Sequence, residues 1–305
     1  MVSRFQARSG GIVARMADND AGQDGGWLEQ GRRAKSALAE TWGSLAGACR
    51  ALSDTEWALP TDCPGWDVKD QLSHLIGIEQ AIMGAPVPDW DGPLGAHVKN
   101  DFAQTNERFV AVRRALPGDT VLAEFVEVTG TRLAQLDALD AAGWAALGWS
   151  PVGEVPLAEF MTVRVFDSWV HEQDVRLALD RPGGDGNDAS AISLDRVEKA
   201  MPFVVGKKAG CADGTVVRFD IAGPGRDARR ITVAVTGGRA RPAPDTDAVT
   251  PTVTLSLSGL DFMRLGCGRT SAEALDGPPD GRGSVVVEGD AAVGRAVLGA
   301  MNFMF

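Results

Sequence analysis

The first 180 residues show the three- and four-residue spacing of apolar side chains that is typical of amphipathic helices. In "VKDQLSHLIGIEQAIMG" the apolar residues between Val68 and Ile82 share one helix face, and Asp67 with Asp70 has the spacing of a helix start. Five helices are predicted, at residues 27–51, 68–84, 97–116, 120–141 and 156–179. Helices of this length with short connections favour an antiparallel bundle, whose sites are built from inward side chains.

The pattern changes after "DRPGGDGNDAS", a segment rich in Gly, Asp and Pro. Alternating Val, Thr and Ile in "GTVVRFDI", "RRITVAV", "TVTLSLS" and "SVVVEGD" predict strands, with helices at 194–203, in "GLDFMRLGCG" and in "DAAVGRAVLGAM". The predicted fold class is an all-α four-helix bundle followed by a small α+β sheet domain. The predicted boundaries are a disordered tail at 1–25, the bundle at 26–182 and the sheet domain at 190–305.

Composition narrows the range of partners. Thirty Lys and Arg against 41 Asp and Glu give a net charge of −11, which disfavours nucleic acid and anionic membranes. The chain has no apolar run of membrane-spanning length and no tyrosine to act as an acid or base. Its four cysteines are widely spaced, so neither a disulfide framework nor a cysteine zinc site is predicted. We expect a cytoplasmic monomer or homodimer.

The last bundle helix, in "MTVRVFDSWVHEQDVRLAL", has polar side chains on two sides. Four of them fall on one narrow stripe flanked by apolar residues: Arg164, Asp167, His171 and Asp174. Three more form a second patch roughly opposite: Glu172, Gln173 and Arg176. A helix that buries its apolar flanks cannot expose both patches to water. One of the two is therefore expected to face the interior.

Asp167 and His171 lie one helical turn apart, so both side chains can reach one metal ion. A divalent metal needs a further protein ligand. The remaining histidines are His74, on an apolar-faced helix, and His97, after a Pro- and Gly-rich loop, and we prefer His74. Spacing alone is also compatible with a surface ion pair or a structural core histidine, and with Arg164 as a counter-ion of Asp167.

Two long segments, "PTDCPGWDVKDQLSHLIG" and "VFDSWVHEQDVRLALDRPGG", resemble the paired signature of the mycothiol-dependent maleylpyruvate isomerase family. The segment "HVKNDFAQTNERFVAVRR" is similar to that family's third helix. The resemblance covers roughly residues 27–182 and implies a DinB-like bundle that binds a divalent metal, usually zinc. Carried onto this chain, the ligands are His74, Asp167 and His171. The chain departs from the isomerase that names the family at the carboxylate, where Asp167 replaces glutamate.

The end of the chain, in "TLSLSGLDFMRLGCGRT" and "GSVVVEGDAAVGRAVLGAM", resembles a sterol-carrier-protein-like domain. In such a pairing this domain is expected to cover the metal site or to supply a cation to an anionic substrate. Arg269 is the candidate for that cation. A surface arginine at a helix end is the simpler expectation for it.

The resemblance implies an enzyme, either an isomerase or a thiol S-transferase. It is expected to use a low-molecular-weight thiol, with mycothiol as the first candidate, to attack a small electrophile. Arg164 or Arg176 is expected to meet a carboxylate of the thiol or substrate, and Asp174 to orient a ligand histidine. The alternatives are a non-enzymatic small-molecule or lipid binding protein with a structural bundle, and an iron oxygenase with the same ligand types. Cys63, which precedes a proline, is expected to be a turn residue and not a nucleophile.

Overall fold

The N-terminal half of the chain is helical. The structure, a computed structural model, describes residues 23–151, 153–244, 250–275 and 284–304. The helices of this half are α1 (Gln23–Ala48), α2 (Asp54–Trp57), α3 (Val68–Ile82), α4 (Asp101–Ala111), α5 (Gly118–Asp137), α6 (Ala141–Ala145) and α7 (Leu157–Ala178). The predicted tail at 1–25 lies outside the described residues, apart from its last three, which belong to α1.

Four of these helices form the predicted bundle. Helix α1 packs against α5 and α7, and α3 packs against the same two helices, so the four enclose a common apolar interior. The third predicted helix is shorter than expected, because Asn100 caps α4 by accepting from the Ala103 amide, 2.8 Å away. His97 therefore lies in the loop before α4. This fold confirms the prediction of an N-terminal four-helix bundle.

Helix α3 begins where the sequence predicted a cap. The Asp67 side chain accepts a hydrogen bond from the Asp70 amide at 2.8 Å, and the Asp70 side chain accepts in return from the Asp67 amide at 3.5 Å. This capping box fixes the first turn of the helix. His74 follows one turn later and is buried, with 3% of its surface exposed.

Both polar patches of α7 contain buried side chains, whereas the sequence pattern predicted that one of the two faces the interior. Glu172 and Gln173 are buried, as are Arg164, His171 and Asp174 of the first stripe. Glu172 accepts from Ser44 of α1 at 2.7 Å, and Gln173 donates to the Gly183 carbonyl at 3.1 Å. Helix α1 and the segment after α7 thus supply polar partners for the second patch.

The C-terminal half contains the predicted sheet. Its elements are helix α8 (Asp188–Phe203), strand β3 (Val216–Ala222), β4 (Arg229–Thr236), β5 (Arg239–Pro242), β6 (Val253–Ser258), helix α9 (Gly259–Gly266), α10 (Ala272–Leu275), strand β7 (Val285–Gly289) and helix α11 (Ala291–Gly299). The strand order is β5-β4-β3-β6-β7, with β3 and β6 parallel and the other neighbours antiparallel. A separate hairpin of β1 (Leu147–Ser150) and β2 (Gly153–Pro156) precedes α7.

The four predicted strands are present, and three short strands were missed. Strands β1, β2 and β5 have four residues each, which is too short for an alternating pattern to stand out. The predicted segment between the domains is also shorter than expected, because Asn187 caps α8 and the helix begins at Asp188. Helix α8 contacts α1 and α7 on one side and β4, β5 and α9 on the other. It is the main connection between the bundle and the sheet.

Among the described helices, none has the length and apolar character required to cross a membrane.

Two helix glycines make a matched test of the packing. A Cβ on Gly77 of α3 would lie 2.3 Å from Phe109 of α4, whereas a Cβ on exposed Gly130 of α5 would meet nothing within 4 Å. We expect Gly77→Ala to lower the free energy of unfolding by about 1–3 kcal/mol through overpacking. Gly130→Ala should raise it by up to about 1 kcal/mol, since alanine is the better helix former.

Urea denaturation of the two variants measures both effects. If Gly77→Ala were as stable as Gly130→Ala, the close contact between α3 and α4 would be wrong.

Candidate metal centre

Three side chains from two helices converge between α3 and α7. His74 comes from α3, and Asp167 and His171 come from successive turns of α7. Asp167 Oδ2 lies 3.3 Å from His74 Nε2, and Asp167 Oδ1 lies 3.7 Å from His171 Nε2. One donor atom from each residue lies within 4.8 Å of the other two. The structure therefore brings together the three side chains that the sequence singled out.

Burial decides the charge of the His74 ring, and hydrogen-bonding neighbours decide the tautomer of the His171 ring. Burial lowers the pKa of His74 to about 4, although Asp167 acts in the opposite direction, so its ring is neutral at pH 7. His171 Nδ1 lies 2.6 Å from Gln71 Oε1. Because an amide oxygen only accepts, Nδ1 holds the ring hydrogen of the neutral tautomer and Nε2 keeps its lone pair. The Gln71 orientation is set by Thr61, whose hydroxyl accepts from its amide nitrogen at 2.7 Å.

Asp167 supplies the negative charge. Burial raises the pKa of this carboxyl, but Arg164 and His74 together hold it well below its ordinary value, so it is ionised at neutral pH. Arg164 Nη1 donates to Asp167 Oδ2 at 2.7 Å. The Asp167 side chain is 28% exposed, against 4% for His74 and 7% for His171. The cluster is therefore open to solvent on its carboxylate side.

Arg164 is held by acidic side chains on two sides. Its Nε donates to Glu79 Oε1 at 2.8 Å, and Arg132 Nε lies 3.3 Å from the other oxygen of Glu79. Glu79 is buried, with 1% of its side chain exposed. This geometry matches the alternative in which Arg164 is the counter-ion of Asp167.

Arg176 lies apart from the cluster, on the side of α7 that faces α1. It donates to Glu172 at 2.8 Å, to Ser44 Oγ at 2.7 Å and to the Arg181 carbonyl at 3.0 Å. The structure does not bring Arg176 to the three donors, so its predicted contact with the thiol or substrate has no support in this geometry. The reason is that Glu172 is buried and needs a counter-ion, which Arg176 provides.

Asp174 links the cluster to the sheet domain. Its Oδ2 lies 3.3 Å from His171 Nδ1, which is the position expected of a residue that orients a ligand histidine. Arg269, after α9, donates to both Asp174 oxygens at distances of 3.0 to 3.2 Å. The simpler expectation of a surface arginine is wrong, since 13% of the Arg269 side chain is exposed. The sheet domain therefore reaches the site through one ion pair.

A second group of possible ligands, Cys63, His171 and Asp174, has equally close donor atoms. Burial raises the pKa of Cys63 to about 12, so its sulfur stays protonated at neutral pH. Asp174 is already paired with Arg269, and His171 Nδ1 is engaged by Gln71. A metal requires deprotonated and available donors, so the first group is the better candidate. Cys63 is a buried residue of the turn before α3, in agreement with the sequence.

Sequence reasoning missed two neighbours of the histidines. Gln71 precedes His74 by three residues on the same face of α3, which is a signal that could have found it. Trp66 lies in the turn before α3, with its ring centroid 5.0 Å from that of His74 and 5.8 Å from that of His171. No spacing rule connects a turn residue with α7, so the sequence contains no comparable signal for Trp66.

The fold and the site together define a helical bundle with a two-histidine, one-carboxylate cluster, joined to an α+β domain. Residues 38–176 match the family model described as "Mycothiol maleylpyruvate isomerase N-terminal domain", and residues 191–296 match "MDMPI C-terminal domain". The chain belongs to the mycothiol-dependent maleylpyruvate isomerase family. Membership confirms the predicted family and the prediction of an enzyme. The likeness of the second domain to sterol carrier proteins stays a prediction.

Two solved structures are also similar to this chain. One is a mycothiol-dependent maleylpyruvate isomerase, with a TM-score of 0.48 and 15% sequence identity, and the other is a histidine-to-alanine variant of a protein of that name, with a TM-score of 0.47 and 16% identity. Each match covers 79% of this chain and 90% of the other. No curated protein matches the sequence.

The cysteines give a chemical test of the site's burial. Burial raises the pKa of Cys49, Cys63 and Cys267 to about 12, and it raises the pKa of the half-buried Cys211 less strongly. Because only the thiolate reacts, iodoacetamide at pH 8 should modify Cys211 in the native protein and all four cysteines after denaturation. Peptide mass spectrometry identifies the sites, and Cys211→Ala should leave the native protein unlabelled. Rapid labelling of native Cys63 would contradict this environment.

Proposed function

We propose that this protein is a divalent-metal enzyme, with zinc as the metal and mycothiol as the thiol cosubstrate. It adds the thiol to a small electrophile and releases either an isomer or a thiol conjugate. Family membership supports the thiol and the reaction class. The observation that supports the metal is the convergence of His74, Asp167 and His171, whose donor atoms lie within 4.8 Å of one another.

The donor set fits a divalent ion. Two imidazole nitrogens and one carboxylate oxygen form a ligand set that zinc uses in catalytic sites, where a further position stays open. His74 is neutral and Asp167 is ionised, so no proton has to be removed from either before a metal binds. When bound, the metal would lower the pKa of a coordinating thiol and so make it a nucleophile at neutral pH.

The surrounding residues have separate tasks in this proposal. Arg164 keeps Asp167 ionised, and Asp174 with Gln71 fixes the tautomer and direction of the His171 ring. The histidine side of the site is dry, because both rings are buried. The partly exposed Asp167 marks the side from which a thiol and an electrophile enter.

Metal content gives the first test. Protein purified without chelator should contain about one divalent ion per chain, and His171→Ala and Asp167→Asn should lose most of it, because the first removes one of three ligands and the second removes the negative charge of another. Asp137→Asn is the matched control, since it removes a largely exposed carboxylate of α5. Elemental analysis measures the ion. A metal-free wild-type protein that also fails to take up added Zn²⁺ would overturn the proposal.

Thiol binding gives the second test. Isothermal titration calorimetry of the zinc-loaded protein should show binding of mycothiol that is tighter than binding of glutathione. The metal-free protein should bind mycothiol more weakly, because it lacks the thiol's proposed attachment point. Oxidised mycothiol, which has no free thiol, is the control ligand. If neither reduced thiol bound to the loaded protein, a thiol-independent activity would replace this function.

A further inference from the structure

The two histidines of the site differ in what holds their rings. His171 Nδ1 has hydrogen-bonding neighbours in Gln71 Oε1 and Asp174 Oδ2, at 2.6 Å and 3.3 Å. His74 Nδ1 is buried and has no hydrogen-bond partner among the described residues. A metal-binding histidine almost always donates its other ring N–H to a carboxylate, a carbonyl or water, which orients the ring. Something other than such a bond must therefore orient His74.

Aromatic packing surrounds the His74 ring. The Trp66 ring lies 5.0 Å from it at an interplanar angle of 38°, and the His171 ring lies 4.6 Å from it, edge to face. These separations are within the range in which aromatic rings attract one another. The His74 ring is thus confined by Trp66 and His171, and its Nε2 is directed at Asp167.

Trp66 is itself fixed at both ends. Its indole N–H donates to Glu107 Oε2 at 2.9 Å. Its backbone N–H donates to the Cys63 carbonyl at 3.1 Å, and its own carbonyl accepts from the Thr61 amide at 3.1 Å. The ring therefore has little freedom to turn away from the histidine.

Glu107 connects Trp66 with the loop before α4. Its carboxylate is buried and also accepts from Arg114 at 2.6 Å, and His97 Nε2 lies 2.9 Å from it. The His97 ring lies against Gly65, where a Cβ would come within 2.2 Å of it and where φ is +82°. Glycine is thus required at this position, immediately before Trp66. His97, the less favoured candidate for the third ligand, therefore supports the site indirectly, through Glu107 and Trp66.

We propose that Trp66 is the positioning residue of His74: ring packing against an indole held by Glu107 takes the place of the missing hydrogen bond. This inference rests on the proposed metal centre. It adds a residue outside the three proposed ligands that sets the affinity for the metal through the His74 ring. Mutation of a residue that orients a metal ligand typically weakens metal affinity about 10- to 100-fold, and we expect the same range for Trp66.

The test compares two substitutions of similar bulk. Trp66→Phe retains an aromatic ring over His74, whereas Trp66→Leu retains only apolar volume. We expect the Zn²⁺ dissociation constant, measured by competition with a chromogenic chelator, to rise about 10- to 100-fold for Trp66→Leu. It should rise much less for Trp66→Phe. Trp149→Leu, at an exposed position of β1, is the matched control and should bind zinc as the wild type does.

A second measurement follows the ring itself. In ¹⁵N-labelled metal-free protein, the imidazole signals of His74 should broaden in Trp66→Leu, whereas those of His171, which keeps its neighbours Gln71 and Asp174, should change much less. A purely structural role would change thermal stability and would leave the difference between the two histidines unaffected. Equal zinc affinity in the Phe and Leu variants, together with unchanged His74 signals, would overturn the inference. Absence of zinc binding in the wild type would instead overturn the proposed function, and the ring signals would still test Trp66.

Discussion

Buried charge on α7 is the constraint on which the rest of the site depends. Arg164 is buried, and it lies between Asp167 of its own helix and Glu79 of α3. Removing one member of a buried ion pair costs about 3–5 kcal/mol, because the remaining charge is left without solvent or partner. Helices α3 and α7 therefore cannot slide past one another by a turn without breaking this pairing. That fixed register places His74 opposite His171.

Burial and the ion pair with Arg164 also set the charge states of the proposed metal ligands. Desolvation keeps His74 neutral, and Arg164 keeps the Asp167 carboxylate ionised beside the two imidazole rings. An apolar site could hold neutral imidazoles but would protonate the carboxylate. A fully hydrated site would keep the carboxylate ionised, but water would compete for the imidazole nitrogens and for any bound ligand. The combination of a dry histidine side and a neutralised, partly open carboxylate suits metal-assisted chemistry better than either extreme.

Much of this arrangement could be predicted from residue spacing, and the remainder depends on long-range contacts. The pairing of Asp167 with His171 follows from one helical turn, and the cap at Asp67 follows from the local sequence. The burial of Glu172 does not follow from local sequence, because its hydrogen-bond partner Ser44 lies 128 residues earlier. Arg269 meets Asp174 across 95 residues, and no helical or strand period links them. Local rules thus identify which side chains are unusual, and tertiary packing decides which partner each one meets.

The ion pair between Arg269 and Asp174 makes the two halves of the chain electrically interdependent. The bundle contributes the anion and the sheet domain the cation, and both are largely shielded from water. A bundle separated from its C-terminal partner would retain a carboxylate in its interior without a counter-charge, directly beside a histidine of the site. A different C-terminal domain would preserve this pairing only if it placed a cation beside Asp174.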